Sequence, residues 1–103
     1  MTKNEELKKV VKRRCGITDE VTIYDEDIEM YIDDSLDDMK ASGVPSGLIK
    51  RAPPGVITAV SHYVRAHIGD DRSDTNRYLG MYRQKVSRLI LEDDQEVESN
   101  DVE

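Results

Sequence analysis

The stretch Pro53-Pro54-Gly55-Val56-Ile57-Thr58-Ala59-Val60-Ser61-His62-Tyr63-Val64-Arg65-Ala66-His67-Ile68-Gly69 decides the fold class of this chain. Val56, Ile57, Val60, Tyr63, Val64, His67 and Ile68 recur with the spacing of a helix that buries one wide face. Two prolines cannot lie inside that helix, and Gly69 suits the left-handed position just past its end. The segment therefore reads as a bounded core helix of about four turns. Val60, Tyr63, Val64 and His67 form its expected core, with His67 a hydrogen-bonded core histidine and Ser61 and Arg65 on the outer side.

Outward from this helix, three more helical segments can be placed. A first helix spans about Asn4 to Cys15, with Leu7, Val10, Val11 and Cys15 on one side and Gly16 at its stop. Val21-Thr22-Ile23-Tyr24 has strand propensity, yet a lone run that short has no partner strand in this chain. A second helix spans about Asp25 to Ser42, carries Ile28, Tyr31, Ile32, Leu36 and Met39 as its stripe, and ends at Gly43. Residues 44 to 55 hold all three prolines and read as a loop that returns Leu48 and Ile49 to the core. After a polar turn at 70–74, with Ser73 or Asp74 as N-cap, a last helix runs to about Leu91. Thr75, Tyr78, Leu79, Tyr82, Val86, Leu89 and Ile90 are its expected inward positions. The expected fold is all-α: a small bundle of about four helices with a long C-terminal helix and no sheet.

A length of 103 residues supports one domain. Fifteen Lys and Arg stand against 22 Asp and Glu, but the excess is confined to residues 92 to 103, which hold seven acids and no base. Residues 1–91 are thus a balanced helical domain, and 92–103 is expected to be a disordered acidic tail that buries too little apolar surface to offset its ordering entropy. There is one cysteine, Cys15, so no internal disulfide can form. No signal peptide or apolar run of membrane length is present, and a cytosolic protein without a membrane partner is the expectation. With no Trp or Phe, five tyrosines supply all the aromatic bulk, which favours further burial against neighbouring copies.

Charge is the main functional signal. The first helix carries Lys8, Lys9, Lys12, Arg13 and Arg14; the second carries Asp25, Glu26, Asp27, Glu29, Asp33, Asp34, Asp37 and Asp38 against a single Lys40. Its i, i+4 acidic pairs each cost roughly 0.2–0.5 kcal/mol in an isolated helix, so opposite charge lying against this face would relieve it. Simple solvation of both charged helices is one reading, and two arrangements supply such a partner. The basic helix pairs with the acidic one inside a subunit, or the basic residues Lys9 and Arg13 of one copy meet Asp33, Asp34, Asp37 and Asp38 of the next, a heterologous contact that closes into a ring when the rotation permits. Arg83, Lys85 and Arg88 on the last helix form a further basic set for a subunit or partner interface.

Several kinds of chemistry are missing. Asp25 to Leu36 lacks the glycine and glutamate of a calcium loop, and His62 and His67 with one cysteine cannot build a zinc set. Cys15 has no neighbouring base in sequence and reads as a packed thiol. No phosphate loop, paired catalytic carboxylates or serine elbow occurs, so no catalytic residue, metal or cofactor is expected. A sequence-reading DNA binder would avoid so acidic a helix and tail.

The ending Tyr63-Val64-Arg65-Ala66-His67-Ile68-Gly69 resembles the end of the third helix in small phage head-to-tail connector proteins. Leu7 to Ile17 resembles their first short helix, Ile28 to Val44 their acidic second helix with its Ser-Gly-Val turn, and Tyr78, Tyr82, Val86 and Leu89 their last. One departure is Ile68, where the family often has an aromatic. The resemblance implies a head completion and DNA-packaging adaptor of a tailed phage or prophage. Its copies would assemble as a ring below the portal protein, either beforehand or from monomers on meeting it. The ring would extend the channel through which DNA passes without sequence-specific binding and offer a face to a tail-side completion protein. The implied location is the virion head-tail interface, with the host cytoplasm during assembly. A small cytosolic adaptor or regulator acting through the acidic tail is the alternative, and a groove-binding DNA regulator a second one.

Overall fold

The computed structural model describes the backbone of residues 3–68 and 72–102 and the side chains of 5–68 and 74–91. Among them run five helices and no strand: α1 (Lys3–Arg14), α2 (Asp25–Ser42), α3 (Ser46–Arg51), α4 (Pro54–Ile68) and α5 (Arg72–Val102). The all-α expectation holds, with one helix more than anticipated. α3 is a short turn of helix inside the presumed loop, and it delivers Leu48 to the core as that loop was expected to do.

The helix boundaries follow from local chemistry. α2 occupies the residues its periodicity indicated and stops at Gly43, whose φ of 109° is open to glycine. There the N–H of Val44 donates to the Met39 carbonyl at 2.9 Å, and Gly43 N–H to that of Lys40 at 3.2 Å. This closes the helix with Val44 and Met39 both buried. Gly16, at φ 77°, follows α1 in the same way, with Ile17 N–H donating to Lys12 O. Pro54 opens α4 from its first position, where its missing N–H costs nothing. Val21 to Tyr24 forms no strand; it is an exposed link, and Ile23 is 78% exposed.

α4 is the centre of the bundle. Val56, Ala59, Val60 and Val64 are completely buried, and α5, α2 and α1 all pack on it. Because α1 covers a side of α4 that periodicity left open, Ser61 is buried as well, its hydroxyl donating to the Ile57 carbonyl at 2.8 Å. His67 corrects the expectation in the opposite sense: it is exposed, not core. It lies near the end of α4, beyond the cover of the neighbouring helices, and packs its ring on Tyr63 and Tyr31 instead. Tyr63 is half-buried.

α5 contributes Tyr82, Val86 and Leu89 to the core, while Thr75, Tyr78 and Leu79 are half-buried. Ile90, expected inward, is on the exposed flank of that stripe near Gly43. α5 begins at Arg72, so Ser73 and Asp74 lie in its first turn rather than at its N-cap; Gly69 and the start of the preceding turn lie outside the described residues. The helix also extends past Leu91, since adding a residue to an existing helix costs far less than starting one. Among the described side chains Leu89 is the last that is buried, and Leu91 is 80% exposed. The acidic side chains from 92 onward lie outside the described residues.

Replacing Val60 or Val64 by Asp places an unpaired charge in this dry centre and is expected to abolish folding, whereas Arg65→Ala should shift stability by less than about 1 kcal/mol. Thermal denaturation followed by circular dichroism checks the contrast; equal damage at all three positions would contradict the central role of α4.

Candidate functional site

The basic first helix and the acidic second one are partly reconciled within the subunit. Lys8 Nζ lies 2.8 Å from Glu29 Oε1, and that hydrogen bond holds the ammonium above its ordinary range. Lys12 is only 3% exposed, an unusual place for a lysine, and its ammonium is fully employed. It donates to the Val21 carbonyl at 2.7 Å and the Asp19 carbonyl at 3.4 Å, and lies 2.9 Å from Asp25 Oδ1. The last contact is coulombic: Asp25 Oδ1 has no hydrogen-bond partner in proper geometry. Lys12 thereby ties the exposed link to α1. Lys9 and Arg13 are both exposed; Lys9 borders the depression that holds Lys12 and Asp25, and Arg13 reaches Asp19 at 3.8 Å.

The acidic cluster on α2 divides in two. Asp33, Asp34 and Asp37 are exposed and make no salt bridge among the described residues. Asp38, though also exposed, has a structural task. The Tyr82 hydroxyl of α5 donates to its Oδ2 at 2.7 Å and lies 3.1 Å from the Ser35 carbonyl. Burial and this carboxylate push the phenol far above its ordinary range, so it stays protonated and serves as donor. An exchange of Asp38 therefore disturbs the α2–α5 contact as well as the surface.

A second charged surface lies elsewhere. His62, Met81, Gln84, Lys85 and Arg88 line one depression between α4 and α5. The His62 ring stacks on Tyr78 at 6.2 Å, and the Arg65 guanidinium sits 4.6 Å above the same tyrosine. Arg14, at the end of α1, donates to Thr58 Oγ1 at 2.8 Å. Burial first, then the positive charges of Arg65, Lys85 and Arg14, pushes His62 below its ordinary range. Its Nδ1 is buried without a partner among the described residues. Of the basic residues named on the last helix, Lys85 and Arg88 meet here; Arg83 is exposed on another side of α5, since two residues of helix turn a side chain by about 200°. Arg14, His62 and Arg65 were not singled out as interface residues from sequence. Arg65 and His62 share an i, i+3 spacing, but nothing in sequence brings Arg14 beside them.

His67 Nδ1 lies 2.8 Å from the Tyr63 carbonyl; a carbonyl only accepts, so this nitrogen carries the proton. Among the described residues, no three His, Cys, Asp or Glu side chains stand close enough to hold a metal, and no helix is long and apolar enough to cross a membrane.

The family model described as phage connector protein matches residues 7–96. The chain belongs to the phage connector protein family. Neither the curated proteins nor the solved structures include a match to it. The span matched in this connector protein includes the residues named on both charged surfaces, from Arg14 to Arg88. It also includes the residues through which the resemblance was read.

Cys15 of the connector is a packed thiol with Sγ 4.0 Å from the Ser61 carbonyl, and burial, opposed by Arg65, pushes it up to about 11. At pH 8 the native protein should react with a thiol reagent more than about a hundredfold slower than the unfolded chain, because only thiolate attacks. Equal rates for native and denatured protein would show that the thiol is not held in this site.

Proposed function

We propose that this connector is a structural component of the head-tail junction of a tailed phage. Copies assemble into a ring below the portal protein, lengthen the channel through which DNA passes, and present a face to a tail-side completion protein. The observation that carries the reading is the family match across nearly the whole folded domain. The unpaired carboxylates of Asp33, Asp34 and Asp37 support it, because a self-repelling exposed face gains most from a partner of opposite charge. On this reading the protein acts by shape and association, with no side chain performing catalysis and no base sequence being read. It works in the virion and meets its partners in the host cytoplasm. Sedimentation velocity and electron microscopy of the purified protein, alone and mixed with portal particles, should reveal closed rings or portal-bound copies; a protein that stays monomeric and ignores portal particles would favour the small adaptor instead.

The same reading treats residues 1–91 as the folded unit and the acidic 92–103, into which α5 continues as far as Val102, as an appendage that the unit does not need in order to fold. Truncation after Leu91 should leave the melting temperature and the helical signal of the remaining residues nearly unchanged. A loss of several degrees would mean that the acidic segment packs on the domain.

A further inference from the structure

The two charged surfaces lie on opposite sides of α4. His67, which meets Tyr31 of α2, is about 180° around the helix axis from Thr58, which meets Arg14, and about 160° from Arg65. One subunit thus turns an acidic surface one way and a basic surface the other. The outer side of α2, away from its buried stripe of Ile28, Ile32 and Met39, carries Asp33 and Asp37 around Met30, which is 48% exposed. Across the molecule, His62, Lys85 and Arg88 surround Met81, which is 38% exposed, with Arg65 and Arg14 alongside. Each surface therefore has a pliant apolar spot within a charged border, and the two borders have opposite signs.

We propose that the α4–α5 depression, with Arg65, Lys85 and Arg88 at its border and Met81 within it, seats the outer face of α2 of a second copy, Met30 against Met81 and Asp33 and Asp37 against the cations. The inference rests on the assembly reading above and names the surfaces that carry it. The contact joins unlike patches, so each copy keeps one of each kind free for the next, as a ring requires. Lys9 and Arg13 suit the role less well. They flank the α1–α2 seam already occupied by Lys8–Glu29 and Lys12–Asp25, on the same side as the acidic helix.

The test is a charge exchange read by sedimentation velocity at low salt, with circular dichroism confirming the fold of each variant. Wild type should associate, and D33K/D37K and R65E/K85E should each be monomeric. An equimolar mixture of the two variants should associate again, because every contact then pairs opposite charges. If the Glu exchange unfolds the chain, R65Q/K85Q takes its place and should weaken association at least tenfold. A mixture of M30C and M81C proteins under mild oxidation should yield the mixed disulfide in excess of either homodimer. If both reversals associate like wild type, these surfaces are not the contact and the assembly reading survives without them. If wild type stays monomeric to about 1 mM, the limit of a weak but measurable contact, and no mixed disulfide forms, the proposed contact is overturned, and the assembly reading falls with it only if the protein also ignores portal particles. If a short DNA duplex binds saturably, R65E/K85E abolishes that binding and association is untouched, the depression seats phosphate and the proposal is overturned.

Discussion

Everything in this bundle depends on the burial of α4 from three sides. A single helix with no Phe or Trp to lend bulk must reach a dry centre through small branched side chains, and Val56, Val60 and Val64 do so only because α1, α2 and α5 each close one flank. The interior is made of many modest contacts, and no neighbouring helix can be lost without wetting it. Three of the polar side chains taken inside are satisfied locally: Ser61 and Ser35 return their hydroxyls to carbonyls of their own helices, and Lys12 spends its ammonium on the link between α1 and α2.

Periodicity read the fold well where an element has one buried side. α2 was bounded to the residue because its stripe is interrupted by acids and closed by a glycine at positive φ. The same logic failed for α4 at Ser61 and His67, since a helix enclosed on several sides has no single outer face, and the height along its axis then matters as much as the angle around it. α3 escaped notice because six residues hold too few turns to show a period.

The candidate surfaces were legible only in half. Eight acids on one helix announce themselves in sequence, and Asp33, Asp34 and Asp37 among them are exposed. The basic surface draws Arg14, Arg65 and Lys85 from three helices, a convergence created by packing. Even within the acidic run, composition could not tell Asp37, open to solvent without a described partner, from Asp38, bonded to a tyrosine on another helix.

That bond between Asp38 and Tyr82 has a mechanical side. It spans from the helix that bears the acidic face to the helix that bears Lys85 and Arg88, and it joins them through a phenol fixed in the core. The relative placement of a subunit's two charged faces is therefore tied by a side-chain contact as well as by the connecting chain. In a head-to-tail array that placement is repeated at every copy, so small errors accumulate around the circuit and decide whether the last copy meets the first or passes it by in a spiral. If the protein assembles as proposed, a hydroxyl buried between two helices would limit angular tolerance.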